Sequence, residues 1–170
     1  RPVRGHGSWL VDDQGVEWLD AYGGHAVAST GHSHPAVVKA IADQAATLLF
    51  YSAALPHPLR EQLADVLAAL CPRPLDHAFF CNSGAEANEG AFKFARRWAR
   101  TRGEAKHEIV ALRGAFHGRL FATLAATDRP SYRVPFRPLA PGITIVERDI
   151  EDLAIALNNL ALIAERRGDA

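Results

Sequence analysis

The segment Asn82-Ser83-Gly84-Ala85-Glu86-Ala87 predicts a turn that leads from a strand into a helix and could bind an anion. Unpaired backbone N–H groups and a partial positive charge at a helix start attract phosphate. Gly84 would let the backbone approach the anion, Ser83 could add a hydroxyl, and Ala85 would leave room. Taken alone, the segment is explained more simply as a capping box, with Ser83 as the N-cap and Glu86 three residues later.

A second candidate segment, Gly114-Ala115-Phe116-His117-Gly118-Arg119, follows the next predicted strand. Ligands of parallel sheets bind beyond the carboxyl ends of the strands, so both segments would lie along one rim. Phe116 could stack on a planar cofactor ring with His117 behind it, and Arg119 could bind a carboxylate with its fork of donors. The alternative is that Phe116 is a core residue and Arg119 a solvated helix start.

Metal and disulfide chemistry are not expected. His32 and His34 suggest a metal site, but their spacing is poor and we expect no acidic partner near them. Cys71 and Cys81 are too few and too far apart for a disulfide scaffold or a zinc knuckle. We expect both to be buried or partly buried free thiols in a reducing cytoplasm.

The two segments must be positioned by strands and helices that the hydrophobic pattern predicts. Two short strands are expected within residues 9–20, and further strands at 77–81, 108–112 and 143–146, the first of these buried on both faces. Helices are expected at 35–49, at 58–70 with a buried stripe, from the first segment to about 102, and at 119–126 and 149–158. This alternation predicts an α/β fold with a mostly parallel sheet.

Composition excludes several classes of function. Nineteen basic and nineteen acidic side chains cancel, so no basic surface for nucleic acid or anionic membrane is expected. No apolar run reaches the roughly 18 residues that span a membrane, and no signal-peptide pattern is visible. The 170 residues include no methionine, so we expect that Arg1 is not a natural translation start.

Four motifs together resemble class III pyridoxal-phosphate-dependent aminotransferases of the acetylornithine aminotransferase-like type. In order they are Leu19-Asp20 with Gly31-His32-Ser33-His34-Pro35, Phe80-Cys81-Asn82-Ser83-Gly84-Ala85-Glu86-Ala87-Asn88-Glu89, Phe116-His117-Gly118-Arg119, and Phe136-Arg137-Pro138-Leu139-Ala140-Pro141-Gly142. The last motif points to the acetylornithine branch. The resemblance covers residues 5–157.

The resemblance implies a partial type I aminotransferase fold. Residues 1–50 would be the N-terminal segment of the small domain with its linking helix, and residues 51–170 the first part of the major domain that binds pyridoxal phosphate. Gly84 and Ala85 would hold the cofactor phosphate with Ser83 beside them, Phe116 would pack on the pyridine ring, and Arg119 would bind the substrate carboxylate.

The implied reaction moves the terminal amino group of N-acetylornithine, or a close analogue, to 2-oxoglutarate in a cytoplasmic homodimer. Ornithine, succinylornithine, 4-aminobutyrate and a carrier-linked lysine precursor stay open as donors. A non-catalytic relative that binds a phosphate ligand or a partner chain also stays open, as does an unrelated phosphate-binding domain.

The family's catalytic lysine has no counterpart here. Lys39, Lys93 and Lys106 are the lysines of the chain, and none lies in a matching motif. We therefore expect an N-terminal fragment of a longer enzyme, inactive by itself.

Overall fold

The computed structural model describes residues 1–103 and 106–147, and the chain divides into two compact units, Arg1–Leu63 and Ala64–Ala170. The helix predicted at 149–158 lies outside the described residues.

The first unit opens with an antiparallel sheet of β1 (Pro2–His6), β2 (Trp9–Asp12) and β3 (Glu17–Leu19), in that order. The carboxylate of Asp12 closes the β2–β3 turn by accepting hydrogen bonds from the backbone N–H groups of Gln14 and Val16. The pattern predicts β2 and β3. It misses β1 because the strand contains a proline and a glycine, which are depleted in strands.

Three helical segments follow, α1 (Gly23–Ala26), α2 (Pro35–Thr47) and α3 (Pro58–Leu70). Pro35 is the first residue of α2 as predicted, and the helix ends where Leu48 becomes extended. The bounds of α3 match the prediction. Its apolar stripe was predicted to be buried and is exposed in the described chain, at Leu59, Leu63, Val66, Leu67 and Leu70. Helical periodicity identifies an apolar face but not the element that covers it.

The second unit contains α4 (Gly84–Thr101), β4 (Ile109–Leu112), α5 (Phe121–Ala126), α6 (Pro130–Arg133), a 3-10 turn (Val134–Phe136) and β5 (Ile143–Val146). The strands β4 and β5 pair in parallel, with Ile109 opposite Ile143 and Leu112 opposite Val146. This pairing confirms the predicted α/β class.

The strand predicted at 77–81 is not formed, and the prediction that it is buried on both faces is wrong. Phe79 is 59% exposed, and no strand of the described chain pairs with this segment. A strand needs hydrogen bonds from a neighbour, which apolar residues alone do not supply. Phe79 instead lies against α4, with its ring centroid 5.4 Å from that of Phe94. The exposed state of Cys71 and Cys81 likewise corrects the expected burial of both thiols.

The core of the second unit is built around α5, where Leu124, Ala125 and Ala126 are buried. The helix begins at Phe121 and not at the predicted residue 119, because Leu120 is extended and acts as the N-cap. Arg119 therefore stays in the loop before the helix.

Candidate functional site

Ser83 is the N-cap of α4. Its Oγ accepts a hydrogen bond from the Glu86 N–H at 3.2 Å and donates to Glu86 Oε2 at 3.1 Å, and the Asn82 N–H donates to the same carboxylate at 2.8 Å. Hydrogen bonds from Asn82 and Ser83 hold the pKa of Glu86 below its usual 4.5. The capping interpretation of this segment is thus confirmed, and the Ser83 hydroxyl is engaged in the cap.

The next two backbone donors of α4 point to an anion site. In the described chain, the N–H groups of Gly84 and Ala85 have no hydrogen-bond partner. A Cβ placed on Gly84 would meet no atom within 4 Å. Uncommitted N–H groups at the start of an 18-residue helix, open to approach, suit the phosphate of a cofactor.

The second segment packs directly on the first. Gly118 has a φ of +128°, and a Cβ at this position would lie 2.5 Å from the Cβ of Ala85. Such a distance is shorter than any real contact between carbon atoms, so only glycine lets the two backbones approach this closely. The prediction that both segments lie together is therefore confirmed by this contact.

The two segments enclose an open cleft of about 420 Å³. It is lined by Gly84, Ala85, Asn88, Phe116, His117, Gly118 and Arg119. Four of the predicted site residues, Gly84, Ala85, Phe116 and Arg119, are thus brought together. Ser83 is not among the lining residues.

Phe116 is 57% exposed, so the alternative that it is a core residue is wrong for the described chain. The ring centroid of His117 lies 6.4 Å from that of Phe92, and the backbone N–H of His117 donates a hydrogen bond to Thr127 Oγ1. Arg119 lies with its guanidinium carbon 4.0 Å from the ring centroid of Tyr132, a cation–π contact.

Adjacent residues of α4 position the second segment. Asn88 donates from Nδ2 to the His117 carbonyl at 2.9 Å. Glu89 Oε1 accepts hydrogen bonds from the N–H groups of Ala122 and Thr123 at 2.8 and 3.0 Å, which caps α5. Both residues belong to the first motif, but the sequence does not indicate their long-range partners.

Thr127 and Asp128 hold the same loop from its other side. Thr127 Oγ1 accepts hydrogen bonds from the His117 N–H at 2.9 Å and the Gly118 N–H at 3.2 Å. Asp128 accepts from the Gly114 N–H through Oδ2 at 2.9 Å and donates its own N–H to the Ala115 carbonyl at 2.9 Å. Neither residue was predicted from the sequence, because both lie outside the recognisable motifs.

In the first unit, Asp20 and His32 form a close pair, with His32 Nε2 2.6 Å from Asp20 Oδ2. The expectation that no acidic residue lies near His32 is therefore wrong. The chain reverses between the two residues, and an antiparallel bridge from Gly7 to His32 brings the histidine back. Among the residues described, no group of three or more histidine, cysteine, aspartate or glutamate side chains could hold a metal ion.

None of the helices in the described ranges has the length and apolar character needed to cross a membrane.

Of the lysines, Lys39 pairs with Asp43 at 2.6 Å, and neither it nor Lys93 or Lys106 lines the cleft.

Residues 1–166 match the family model described as "Aminotransferase class-III". An acetylornithine aminotransferase of Nitrosomonas europaea is 43% identical over 164 residues, which are 95% of this chain and 41% of that protein. The chain thus spans about two fifths of the length of this curated relative.

Solved structures agree. An (S)-enantioselective omega-transaminase of Thermomicrobium roseum superposes with a TM-score of 0.84 at 32% identity, over 98% of this chain and 40% of the other. The ornithine aminotransferase of Toxoplasma gondii, described with partial occupancy of pyridoxal phosphate at its active site, gives 0.85 at 27% identity, over 92% and 38%. These likenesses support pyridoxal phosphate as the cofactor of the fold. The chain belongs to the class-III aminotransferase family and contains part of the fold of its transaminases.

Proposed function

We propose that the complete protein is a pyridoxal-phosphate-dependent aminotransferase that transfers the terminal amino group of N-acetylornithine, or a close analogue, to 2-oxoglutarate. The observation that carries the proposal is the shared cleft, in which two free helix N–H groups, an exposed aromatic ring and an arginine face one volume. The likeness to acetylornithine aminotransferase supports this choice of donor. A homodimer in the cytoplasm belongs to the same proposal and rests on the family resemblance.

Each lining residue has a defined part in this proposal. The N–H groups of Gly84 and Ala85 bind the cofactor phosphate, with Ser83 keeping the helix start in shape through its cap. Phe116 packs on the pyridine ring, and Arg119 binds the carboxylate of the donor with its paired donors. When bound, the cofactor supplies the aldehyde and the electron-withdrawing ring through which the amino group passes.

Ornithine is a rival donor, since an ornithine aminotransferase is among the similar structures. Arg119 favours donors that carry a carboxylate, because its guanidinium has no carboxylate partner among the described residues. Steady-state rates of the complete protein with N-acetyl-L-ornithine, L-ornithine and 4-aminobutyrate, each with 2-oxoglutarate, would rank the donors.

The phosphate site is tested by Gly84→Asp in the complete protein. The Cβ of the new side chain would meet no atom of the described residues within 4 Å, and its carboxylate would stand where the phosphate is proposed to bind, so repulsion should lower cofactor affinity at least tenfold. Retained cofactor is measured by its absorbance after dialysis.

Ala87→Asp is the matched control, because it adds the same charge to the first turn of α4 outside the cleft. We expect it to keep the cofactor. Equal retention by the two variants would contradict a phosphate site at Gly84.

A further inference from the structure

The guanidinium of Arg119 is held by an aromatic ring and not by an acid. Its central carbon lies 4.0 Å from the ring centroid of Tyr132. No hydrogen bond or ion pair engages this guanidinium within the described chain, so its N–H donors are uncommitted. An arginine in this state keeps its full charge and its fork of donors for a ligand.

Tyr132 is fixed relative to the cleft by the backbone that precedes it. Pro130 is the first residue of α6, and the Tyr132 N–H donates to the Arg129 carbonyl at 2.9 Å. The residue before Arg129 is Asp128, whose two hydrogen bonds tie this part of the chain to the loop that carries Phe116 and Arg119. The backbone segments that carry the ring and the guanidinium are therefore tied together by hydrogen bonds, and the two side chains meet through the cation–π contact.

A ring in this position reduces the conformational entropy that Arg119 loses when it binds a ligand. A free arginine side chain loses much rotamer freedom when it binds a ligand, whereas one already held over an aromatic face loses less. The ring attracts the cation through its quadrupole without consuming any N–H donor, which a carboxylate partner would do. Tyr132 thus prepares Arg119 for an incoming carboxylate.

We propose that Tyr132 is a positioning residue that sets specificity for amino donors bearing a carboxylate, by holding Arg119 at the cleft. The inference rests on the proposed function and adds a residue that the motifs do not contain.

The test compares two donors in the complete protein loaded with cofactor. N-acetyl-L-ornithine and N-acetylputrescine differ only in the carboxylate. Tyr132→Leu removes the aromatic face, Tyr132→Phe keeps it, and Arg119→Ala removes the cation itself. Calorimetric binding of N-acetyl-L-norvaline, which has the carboxylate but no terminal amine to transfer, gives a readout independent of turnover.

We expect Tyr132→Leu to raise KM for N-acetyl-L-ornithine about three- to tenfold, with kcat changed less than about twofold. Binding of N-acetyl-L-norvaline should weaken by the same factor, and KM for N-acetylputrescine should stay unchanged. Tyr132→Phe should restore the affinity for the carboxylate ligands.

Two results would overturn the inference while leaving the proposed function intact. One is an equal rise in KM for N-acetyl-L-ornithine and N-acetylputrescine in Tyr132→Leu, which indicates a merely structural role. The other is a loss caused by Arg119→Ala but not by Tyr132→Leu. If Arg119→Ala leaves both carboxylate ligands unaffected, the carboxylate role of Arg119 in the proposed function fails, and the inference fails with it.

Discussion

At the scale of single residues, the Thr127 hydroxyl makes contacts that no neighbouring residue in sequence could indicate. The side chain is fully buried, and its oxygen lies within hydrogen-bond distance of the His117 and Gly118 N–H groups and of the Gly118 carbonyl, at 2.9, 3.2 and 2.8 Å. A buried N–H group that loses its partner costs about 1–3 kcal/mol. One hydroxyl therefore shapes the turn that carries Phe116 and Arg119.

Replacement of Thr127 by valine keeps the shape of the side chain but removes its hydroxyl. This change should lower the thermal midpoint of the complete protein and weaken cofactor binding. We expect a destabilisation of about 1–3 kcal/mol. Thr127→Ser keeps the hydroxyl and is the matched control, which should retain cofactor affinity. Equal affinity in the valine and serine variants would show that the hydroxyl does not shape the site.

The sequence could predict the site residues whose conformation is encoded locally, but not those that act through contacts distant in sequence. Gly84, Ala85, Phe116 and Arg119 could be named in advance because each lies in a short motif whose local conformation is encoded nearby. Thr127 and Tyr132 could not, since a threonine or a tyrosine in a proline-containing stretch looks like many others. Their importance arises from contacts across 9 to 13 residues of chain that form only in the fold.

At the scale of elements, Asp20 organises the loop that follows β3. Its Oδ1 accepts hydrogen bonds from the Tyr22 and Gly23 N–H groups at 3.1 and 2.8 Å, and its Oδ2 pairs with His32. The hydrogen bond with His32, and then that from Gly23, hold the pKa of Asp20 below its usual 3.8. A carboxylate with a depressed pKa in the folded state stabilises the fold only while it is ionised.

We therefore expect Asp20→Asn to lower the thermal midpoint of the complete protein at pH 6. The difference from the unmodified protein should shrink as the pH falls below 3.8 and through the lower pKa of the folded state, where Asp20 itself becomes neutral. Thermal unfolding followed between pH 6 and 3 measures this.

Asp13→Asn is the control. Among the described residues the carboxylate of Asp13 pairs only with the exposed Arg1, at 3.0 Å, and such surface pairs contribute about 0–1 kcal/mol. A difference in thermal midpoint between the Asp20→Asn and unmodified proteins that does not change with pH would contradict a role for the charge of Asp20.

The elements were predictable where local signals sufficed. Helix α3 starts at a proline and strand β5 is a run of β-branched residues, and both have the predicted bounds. The strand expected at 77–81 fails because strand formation depends on a neighbour, which the apolar run itself does not specify. The short helix α6 was missed because four residues in a proline-rich stretch carry no periodicity.

At the scale of the whole molecule, the positions of the lysines determine whether the cleft has the amine that transamination requires. Lys39 is paired with Asp43 on α2, and Lys93 lies within α4, outside the cleft lining. A transaminase needs a lysine amine at the cofactor to form a covalent link and to move protons. Since Lys106 does not line the cleft either, the proposed transamination needs a lysine that the described cleft residues do not supply.

We expect the 170-residue polypeptide alone to form no glutamate from N-acetyl-L-ornithine and 2-oxoglutarate in the presence of pyridoxal phosphate. A coupled glutamate assay measures this, with the complete protein as the positive control. Cofactor-dependent glutamate formation by the 170-residue chain would show that one of its own lysines can serve.

The contacts of Asn88 and Glu89 also set an order of assembly on the ribosome. These neighbours on α4 hold groups that follow 29 to 34 residues later in the chain. The helix can form from local contacts soon after its residues emerge, whereas the opposite wall of the cleft must wait until Thr127 has left the exit tunnel. A nascent chain can therefore form the side of the cleft that carries Gly84 and Ala85 before the side that carries Phe116 and Arg119 is complete.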